Sequence, residues 1–176
     1  MLRGLGVELR AVDVPGLEDA NDFGTVVLTW EALQYHKANL ASQPSKFGRS
    51  FRERVLAAQK YSRADYDAAQ ARRAALREAC VRLFRDEVDL LVSPGREAPP
   101  PTMAELIGSP LTIRGQAHRL YNLTGQPAVV LPMGFSGDGL PLGLQVAADH
   151  WREDLVYQVA AAYEDATPWK TMHPTL

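Results

Sequence analysis

The sequence has one cysteine, no long apolar run and no excess of either charge. With Cys80 alone, no intrachain disulfide can form, which favours a reducing compartment. No apolar run approaches the roughly 18 residues of a membrane span, and residues 1–6 lack the apolar stretch of a secretory signal. A net charge of −2 gives no electrostatic basis for binding nucleic acid or an anionic membrane. We therefore expect a cytoplasmic protein that binds neither.

Motifs for nucleophilic or metal chemistry are also missing. The serines lie outside any Gly/Ser-rich loop, G-x-S-x-G or S-x-x-K pattern, and the lysines stand among polar residues. Ser136 lies between glycines, but a strand is predicted to follow where a nucleophile elbow needs a helix. The histidines show no paired ligand spacing. We predict no catalytic residue, no metal site and no cofactor in this chain, and a turn role for Ser136.

Periodicity predicts helices and strands in a mixed order. The expected helices cover residues 17–40, 51–60, 63–86 and 153–166, and the expected strands cover 7–11, 88–92, 128–131 and 142–147. Ser62 and Asp65 form a capping box at the start of the long helix, whose apolar stripe includes Cys80 as a buried, inert thiol. Trp151 and Trp169, on either side of the last helix, are expected to be packing residues. The order predicts an α/β fold with a mixed, mainly parallel sheet flanked by helices.

The first residues are unusual. Leu2 to Gly6 looks like the last turn of a helix with its glycine stop, although almost no helix precedes it. Residues 7–11 then alternate apolar and polar side chains as a half-exposed strand does. We infer from this that the chain begins inside a unit whose front part is missing.

The stretch from Tyr121 to Ala148 organises the rest. Gly125 can stop a helix, and Pro127 fits the first position of a strand, where no ladder donor is needed. Residues 128–131 are apolar throughout, so both faces of this strand are expected to be covered. The glycine-rich residues 134–141 predict the turn of a long hairpin.

The same stretch resembles the C-terminal half of the amidase signature family. The likeness is carried by N-L-T-G-Q-P-A at 122–128, Pro132, G-L-P at 139–141 and G-L-Q at 143–145, and Y-D-A-A-Q-A-R at 66–72 extends it upstream. The resemblance implies hydrolysis or transfer at an amide bond by a serine nucleophile, with a second serine and a lysine as base. Relatives of this kind include the glutaminase component of a glutamyl-tRNA amidotransferase.

The resemblance also suggests where a substrate would lie. It places the turn after residue 121 and the Pro-rich loop at 94–101 near the rim of the substrate cleft. This makes Asn122, Thr124 and Arg96 candidate substrate-binding residues. For the first two, an alternative is that their side chains hold the helix-to-strand turn. The family often has threonines after the first proline of the loop, where Gly95 and Arg96 stand here.

These observations lead to one main hypothesis and two alternatives. Residues 1–176 form a single domain or part of one, matching the C-terminal portion of an amidase, without the N-terminal catalytic portion and inactive alone. A small amide would then bind only if the missing portion were supplied. Alternatively, the chain is a non-catalytic module that forms homo-oligomers or binds a partner over an exposed sheet, or the complementing half of a split amidase.

Overall fold

The computed structural model describes residues 1–96, 98–106 and 117–172. Two compact units are present. The helical unit comprises Pro15–Glu78, and the sheet unit comprises Met1–Val14 together with the described residues from Ala79 onward.

The helical unit contains three helices. Helix α1 spans Ala20–Ser42, α2 spans Arg49–Leu56, and α3 spans Arg63–Asp86 and continues into the sheet unit. Short 3₁₀ turns at Pro44–Lys46 and Ala57–Lys60 flank α2. The core is apolar and joins α1 to α2 and the turn after it, through Leu33, Leu40, Val55 and Ala58. The predicted helices are therefore confirmed, with boundaries shifted by two to four residues at α1 and α2.

The capping box at the start of α3 is present as predicted. The Asp65 backbone N–H donates to Ser62 Oγ at 3.2 Å, and the Ser62 backbone N–H donates to Asp65 Oδ2 at 2.7 Å. The bond from the Ser62 N–H, together with one that the Ser62 hydroxyl donates to the same Oδ2 at 2.7 Å, lowers the pKa of the Asp65 carboxyl, because both stabilise its charged form. Reciprocal capping satisfies two N–H groups that the first turn leaves without partners.

The sheet unit has three strands and three further helices within the described ranges. Strand β1 spans Leu90–Pro94, α4 spans Met103–Leu106, α5 spans Ala117–Thr124, β2 spans Ala128–Phe135, β3 spans Pro141–Ala148 and α6 spans Glu153–Asp165. Another 3₁₀ turn, Trp169–Thr171, follows α6, and one at Leu2–Leu5 ends at Gly6 with φ 83°, which confirms the predicted glycine stop.

The described sheet has the order β1-β3-β2, and both pairs are antiparallel. The mixed α/β class is thus confirmed, whereas a mainly parallel sheet is not. The reason is the place of β3. Strands β1 and β2 run in the same direction and are joined through helices, as a parallel crossover requires, but the hairpin partner β3 lies between them.

Residues 7–11 form no strand, so that prediction is wrong. An alternating pattern becomes a strand only where a neighbouring strand offers hydrogen bonds, and neither described pairing includes these residues. A side chain holds this segment instead. The Arg10 guanidinium donates to Glu87 Oε2 at 3.1 Å, just after α3 ends.

Helix α6 covers one face of the sheet. Leu131, Leu144 and Val146 pack against Ala160 and Tyr163 of the helix. A register shift between Pro132 and Gly134 bends the end of β2. None of the helices within the described ranges is long and apolar enough to cross a membrane.

The two tryptophans beside α6 differ. Trp169 packs against the sheet core and meets Phe135 edge-on at a centroid distance of 6.2 Å, as expected of a packing residue. Trp151 is 89% exposed, so its predicted packing role is wrong. The chain turns from β3 into α6 through Trp151 in a left-handed conformation, with φ 66°, and this leaves the indole in solvent.

Candidate functional site

The two ends of the sheet differ in structure, and each carries part of the predicted site. The closed end is defined by the last residues of β3, Val146–Ala148, and by the Thr124–Pro127 turn that precedes β2. The open end is defined by Pro94–Arg96 after β1 and by the start of β3 at Pro141–Gly143. We use these two names below.

The turn at the closed end forms as the sequence predicts. Gly125 has φ 83°, and its N–H donates to the Tyr121 carbonyl at 2.8 Å, which ends α5. Thr124 is 2% exposed, and its hydroxyl donates to the Leu120 carbonyl at 2.9 Å. The Thr124 hydroxyl therefore holds the end of the helix, which is the structural alternative considered for it. Asn122 is exposed on α5.

Arg96, the third predicted substrate-binding residue, is exposed and lies at the open end. The residue before it is fixed, because the Gly95 N–H donates to the Gly143 carbonyl at 2.8 Å. The Thr124–Pro127 turn lies beside Ala148, whose N–H donates to the Pro127 carbonyl at 3.3 Å. Gly143 and Ala148 are separated by roughly 17 Å along an extended strand. The structure therefore does not bring Arg96 together with Asn122 and Thr124.

A glycine-lined surface lies at the open end, on the face of the sheet opposite α6. Val130 is 54% exposed, and its side chain spans Gly143 and Gly95. A Cβ atom at Gly143 would come within 2.8 Å of Val130 Cγ1, and one at Gly95 would come within 3.4 Å of the same atom. Because both positions are glycine, the Val130 side chain can pack closely over β3 at Gly143 and over the end of β1 at Gly95.

Next to this surface is a buried polar pair. Gln145 is 1% exposed, and its Nε2 donates to Ser93 Oγ at 3.3 Å. Gln145 pairs with Ser93 on one side and with Val130 on the other, so the three side chains form one row across the sheet. A polar residue that is buried within an apolar strand needs a hydrogen-bond partner. The glutamine in the apolar segment L-G-L-Q-V is therefore the sequence signal that points to such a pair.

A hydrogen-bond network at the closed end escaped the sequence reasoning. His150 Nδ1 lies 3.2 Å from Asp149 Oδ1, and His150 Nε2 lies 3.0 Å from the Thr124 carbonyl. Neighbouring groups stay neutral at ordinary pH. Burial, followed by the charge of Asp149, raises the pKa of the Cys80 thiol from 9.0 to about 11, and burial raises the pKa of the Tyr121 phenol. The buried, inert thiol is as predicted.

Gln126 is buried without a hydrogen-bond partner. It is 4% exposed, and neither its Oε1 nor its Nε2 has a partner in the part of the chain that the structure describes. A buried amide without hydrogen-bond partners costs free energy. In this respect Gln126 differs from Thr124 and Gly125 of the same turn, which are hydrogen-bonded.

Across residues 1–96, 98–106 and 117–172, the hydroxyl and amine groups show no sign of a serine–lysine catalytic arrangement. Every lysine is exposed, at positions 37, 46, 60 and 170. Ser136 Oγ accepts from the Leu140 N–H at 3.1 Å, and a strand follows, which confirms a turn role. Within the described ranges, no three His, Cys, Asp or Glu side chains come together as metal ligands would.

Comparison with known proteins identifies the family. The model of the family described as Amidase matches residues 1–157. The A subunit of a glutamyl-tRNA(Gln) amidotransferase from Microcystis aeruginosa is 37% identical over 136 residues, covering 73% of this chain and 28% of that protein. A 6-aminohexanoate-cyclic-dimer hydrolase from Pseudomonas is 52% identical over 56 residues, covering 32% of this chain and 11% of that protein.

Solved structures agree. A structure described as that of an amidase matches with a TM-score of 0.77 and 28% identity, covering 94% of this chain. That of 6-aminohexanoate cyclic dimer hydrolase complexed with substrate matches with a TM-score of 0.74 and 26% identity, covering 99%. The chain spans 39% and 40% of the length of these two structures. With a family match over nearly its whole length and this fold, the chain belongs to the amidase family.

Proposed function

We propose that this chain is the C-terminal portion of an amidase-signature amide hydrolase, and that it does not turn over amides alone. The serine nucleophile, the bridging hydroxyl and the amine base would lie in the portion of such an enzyme that these 176 residues do not include. The observation that carries the proposal is the family match over residues 1–157 together with the exposure of every lysine.

The state of the lysines supports the absence of a base. A lysine can accept a proton near neutral pH only if burial or a neighbouring group favours its uncharged form. Lys170 instead pairs with Asp165 at 2.8 Å, which raises its pKa. Lys60 is exposed and makes a cation–π contact with the Tyr61 ring at 4.9 Å.

The hydroxyl groups support the same conclusion. Ser62 is used by the capping box, Ser93 by Gln145 and Ser136 by the hairpin turn. Ser42 Oγ donates to the Ala38 carbonyl at 2.9 Å. An activated nucleophile needs a base within hydrogen-bond reach, and none of these partners is a lysine or a histidine.

What this chain would contribute is a wall for a small amide. Val130 presents an exposed apolar surface over Gly143 and Gly95, and Arg96 follows that surface directly. Arg96 is the predicted residue best placed to contact a substrate there, whereas Asn122 and Thr124 would act from the closed end. The relatives' names point to amides as the class. We also propose a cytoplasmic location, because a single cysteine favours a reducing compartment.

A chimaera, in which this chain replaces the matching segment of a relative, tests the proposal. This chain would replace the corresponding part of 6-aminohexanoate-cyclic-dimer hydrolase, and amide hydrolysis would be compared with that of the 176-residue chain alone. We expect turnover by the chimaera and none by the chain. Because the chimaera can fail to fold, binding of the chain to the relative's remaining portion is measured in parallel by co-purification.

Two results would overturn the proposal. One is turnover by the isolated chain that disappears when one of its own serines is changed to alanine. The other is a folded chimaera that binds substrate but shows no turnover while the parent enzyme is active. Arg96→Ala in an active chimaera should raise KM, with Arg49→Ala, an exposed arginine of the helical unit, as the matched control.

A second candidate function is that of a non-catalytic module that pairs through β2. This strand has no charged residue from Ala128 to Phe135, and Ala128, Val130 and Pro132 are exposed on one face. Edge strands of soluble proteins are usually guarded by charges. A homo-oligomer would place a second copy against the first part of this strand, before the bend at Met133.

Light scattering separates this candidate from the first. If β2 self-associates, the chain is larger than a monomer at micromolar concentration, and Val130→Lys makes it monomeric. Tyr157→Lys, which changes an exposed apolar side chain on α6, should leave the size unchanged. A monomer at high concentration would argue against the module, and it would leave the amidase proposal intact.

A further inference from the structure

His150 connects two parts of the chain that are far apart in sequence. Its side chain is 19% exposed and lies between the Asp149 carboxylate and the carbonyl of Thr124, at 3.2 and 3.0 Å. The Asp149 Oδ1 atom also accepts from the His150 backbone N–H at 2.8 Å. The ring therefore joins the end of β3 to the turn that starts β2.

Both partners of the ring can only accept hydrogen bonds. A carboxylate and a backbone carbonyl have no proton to donate. A neutral imidazole carries one N–H and can satisfy one of the two, whereas the imidazolium satisfies both. The geometry of the two contacts therefore fits the doubly protonated ring.

The groups named around the ring are hydrogen-bond acceptors, neutral side chains and a paired arginine. Thr124 is the last residue of α5, where carbonyls without helical partners carry partial negative charge. Asp149 is the charged side chain in contact with the ring. From the packed elements, Cys80 of α3 and Tyr121 of α5 face this region as neutral groups, because burial raises both pKa values. Arg152 at the start of α6 is paired with Asp154 at 3.1 Å.

We propose that protonated His150 is a positioning residue that fixes the Thr124–Pro127 turn and thereby the start of β2. Both ring hydrogen bonds form when the ring is doubly protonated. As pH rises and one ring N–H is lost, one of these bonds is lost and the turn is held less firmly. This goes beyond the proposed function, because it concerns how the chain holds its own turn and would stand even if no amide were ever bound.

Thermal unfolding against pH tests the proposal. Relative to the unchanged protein, His150→Gln should lower Tm by about 3 °C at pH 5.5 and by much less at pH 8.5, since a glutamine side chain resembles the neutral ring in offering a single donor group. Asp149→Asn should weaken the same pH trend by removing the charge. Glu153→Gln, at an exposed carboxylate four residues after Asp149, is the matched control and should not change the trend.

Two spectroscopic readouts distinguish positioning from general stability. Nitrogen-15 NMR of the unchanged protein at pH 6 should show protons on both ring nitrogens of His150, and it needs no variant that folds. In His150→Gln at the same pH, hydrogen exchange should speed up at the Gly125 and Ala148 N–H groups, whose acceptors are the Tyr121 and Pro127 carbonyls. A neutral ring at pH 6, or a Tm difference that does not change with pH, would overturn the proposal.

Discussion

The closed and open ends of the sheet belong to the same strands but have different roles. Along β3, exposure falls from an exposed Pro141 to 0% at Val146, Ala147 and Ala148. At the open end Val130 and Phe135 remain 54% and 51% exposed. Buried side chains stabilise the fold in proportion to their area removed from water. The closed end thus supplies stability, and the open end keeps apolar surface available for a ligand or a second polypeptide.

Replacing valine by alanine at each of the two ends should give the largest difference in the free energy of unfolding. Val146→Ala removes two methyl groups from a fully buried site in the α6-covered core, and we expect a loss of about 3 kcal/mol in the free energy of unfolding. Val130→Ala at the exposed site should cost less than about 1 kcal/mol. Urea unfolding of both variants measures the contrast. Equal losses would show that the two ends do not differ in the way described.

Alkaline pH should weaken the closed end through Cys80. The thiol has a raised pKa of about 11 when folded, so the folded state holds its proton where the unfolded chain releases it. The resulting stability, about 2 to 3 kcal/mol, is present below pH 9 and is lost as pH rises towards 11. Unfolding in urea from pH 8 to 10 measures the first part of this loss, below the range in which the raised pKa of the Tyr121 phenol also contributes. Cys80→Ala should flatten the slope, and a slope that persists in this variant would assign it to another group.

At the open end, substituting Gly143 should lower the free energy of unfolding more than truncating the exposed Val130 does. In Gly143→Ala the new methyl group meets Val130 Cγ1 at 2.8 Å, and we expect a loss of about 1 to 2 kcal/mol. Adding Val130→Ala should restore part of it, because the contact is removed. A double-mutant cycle measures this coupling, and strictly additive losses would mean that the two side chains do not meet.

The smallest expected effect is a gain. Gln126→Met replaces a buried amide that lacks partners among the described residues with an apolar chain of similar length, and the protein should become about 1 kcal/mol more stable. Gln145→Met is the matched control, since this equally buried glutamine bonds to Ser93 and its loss should destabilise. If Gln126→Met destabilises instead, the amide has a partner such as a bound water.

Local signals predicted much of the fold because they act over a few residues. The capping box at Ser62, the helix stop at Gly125 and the hairpin turn around Ser136 all depend on near neighbours, and each is present. The place of β3 between β1 and β2 depends on pairing between strands far apart in sequence. Local signals show only two strands linked by helices, and these predict a mainly parallel sheet.

The candidate site was predicted less completely. The resemblance pointed to Arg96, Asn122 and Thr124, whose substrate contacts remain a prediction. The bond of His150 to the Thr124 carbonyl and that of Gln145 to Ser93 cannot be assigned from sequence, because these partners are brought near only by tertiary packing. Trp151 was expected to pack, since large aromatic residues usually do, but the left-handed turn that exposes it has no glycine to mark it.

The central position of β3 has a consequence for how the chain is made. Strand β1 leaves the ribosome long before β3, and β2 leaves it shortly before β3. Neither can find its hydrogen-bond partner until the last of the three strands has been synthesised. The pairings of the described sheet therefore form late in translation, and chaperones or a partner polypeptide would have most opportunity to act before then.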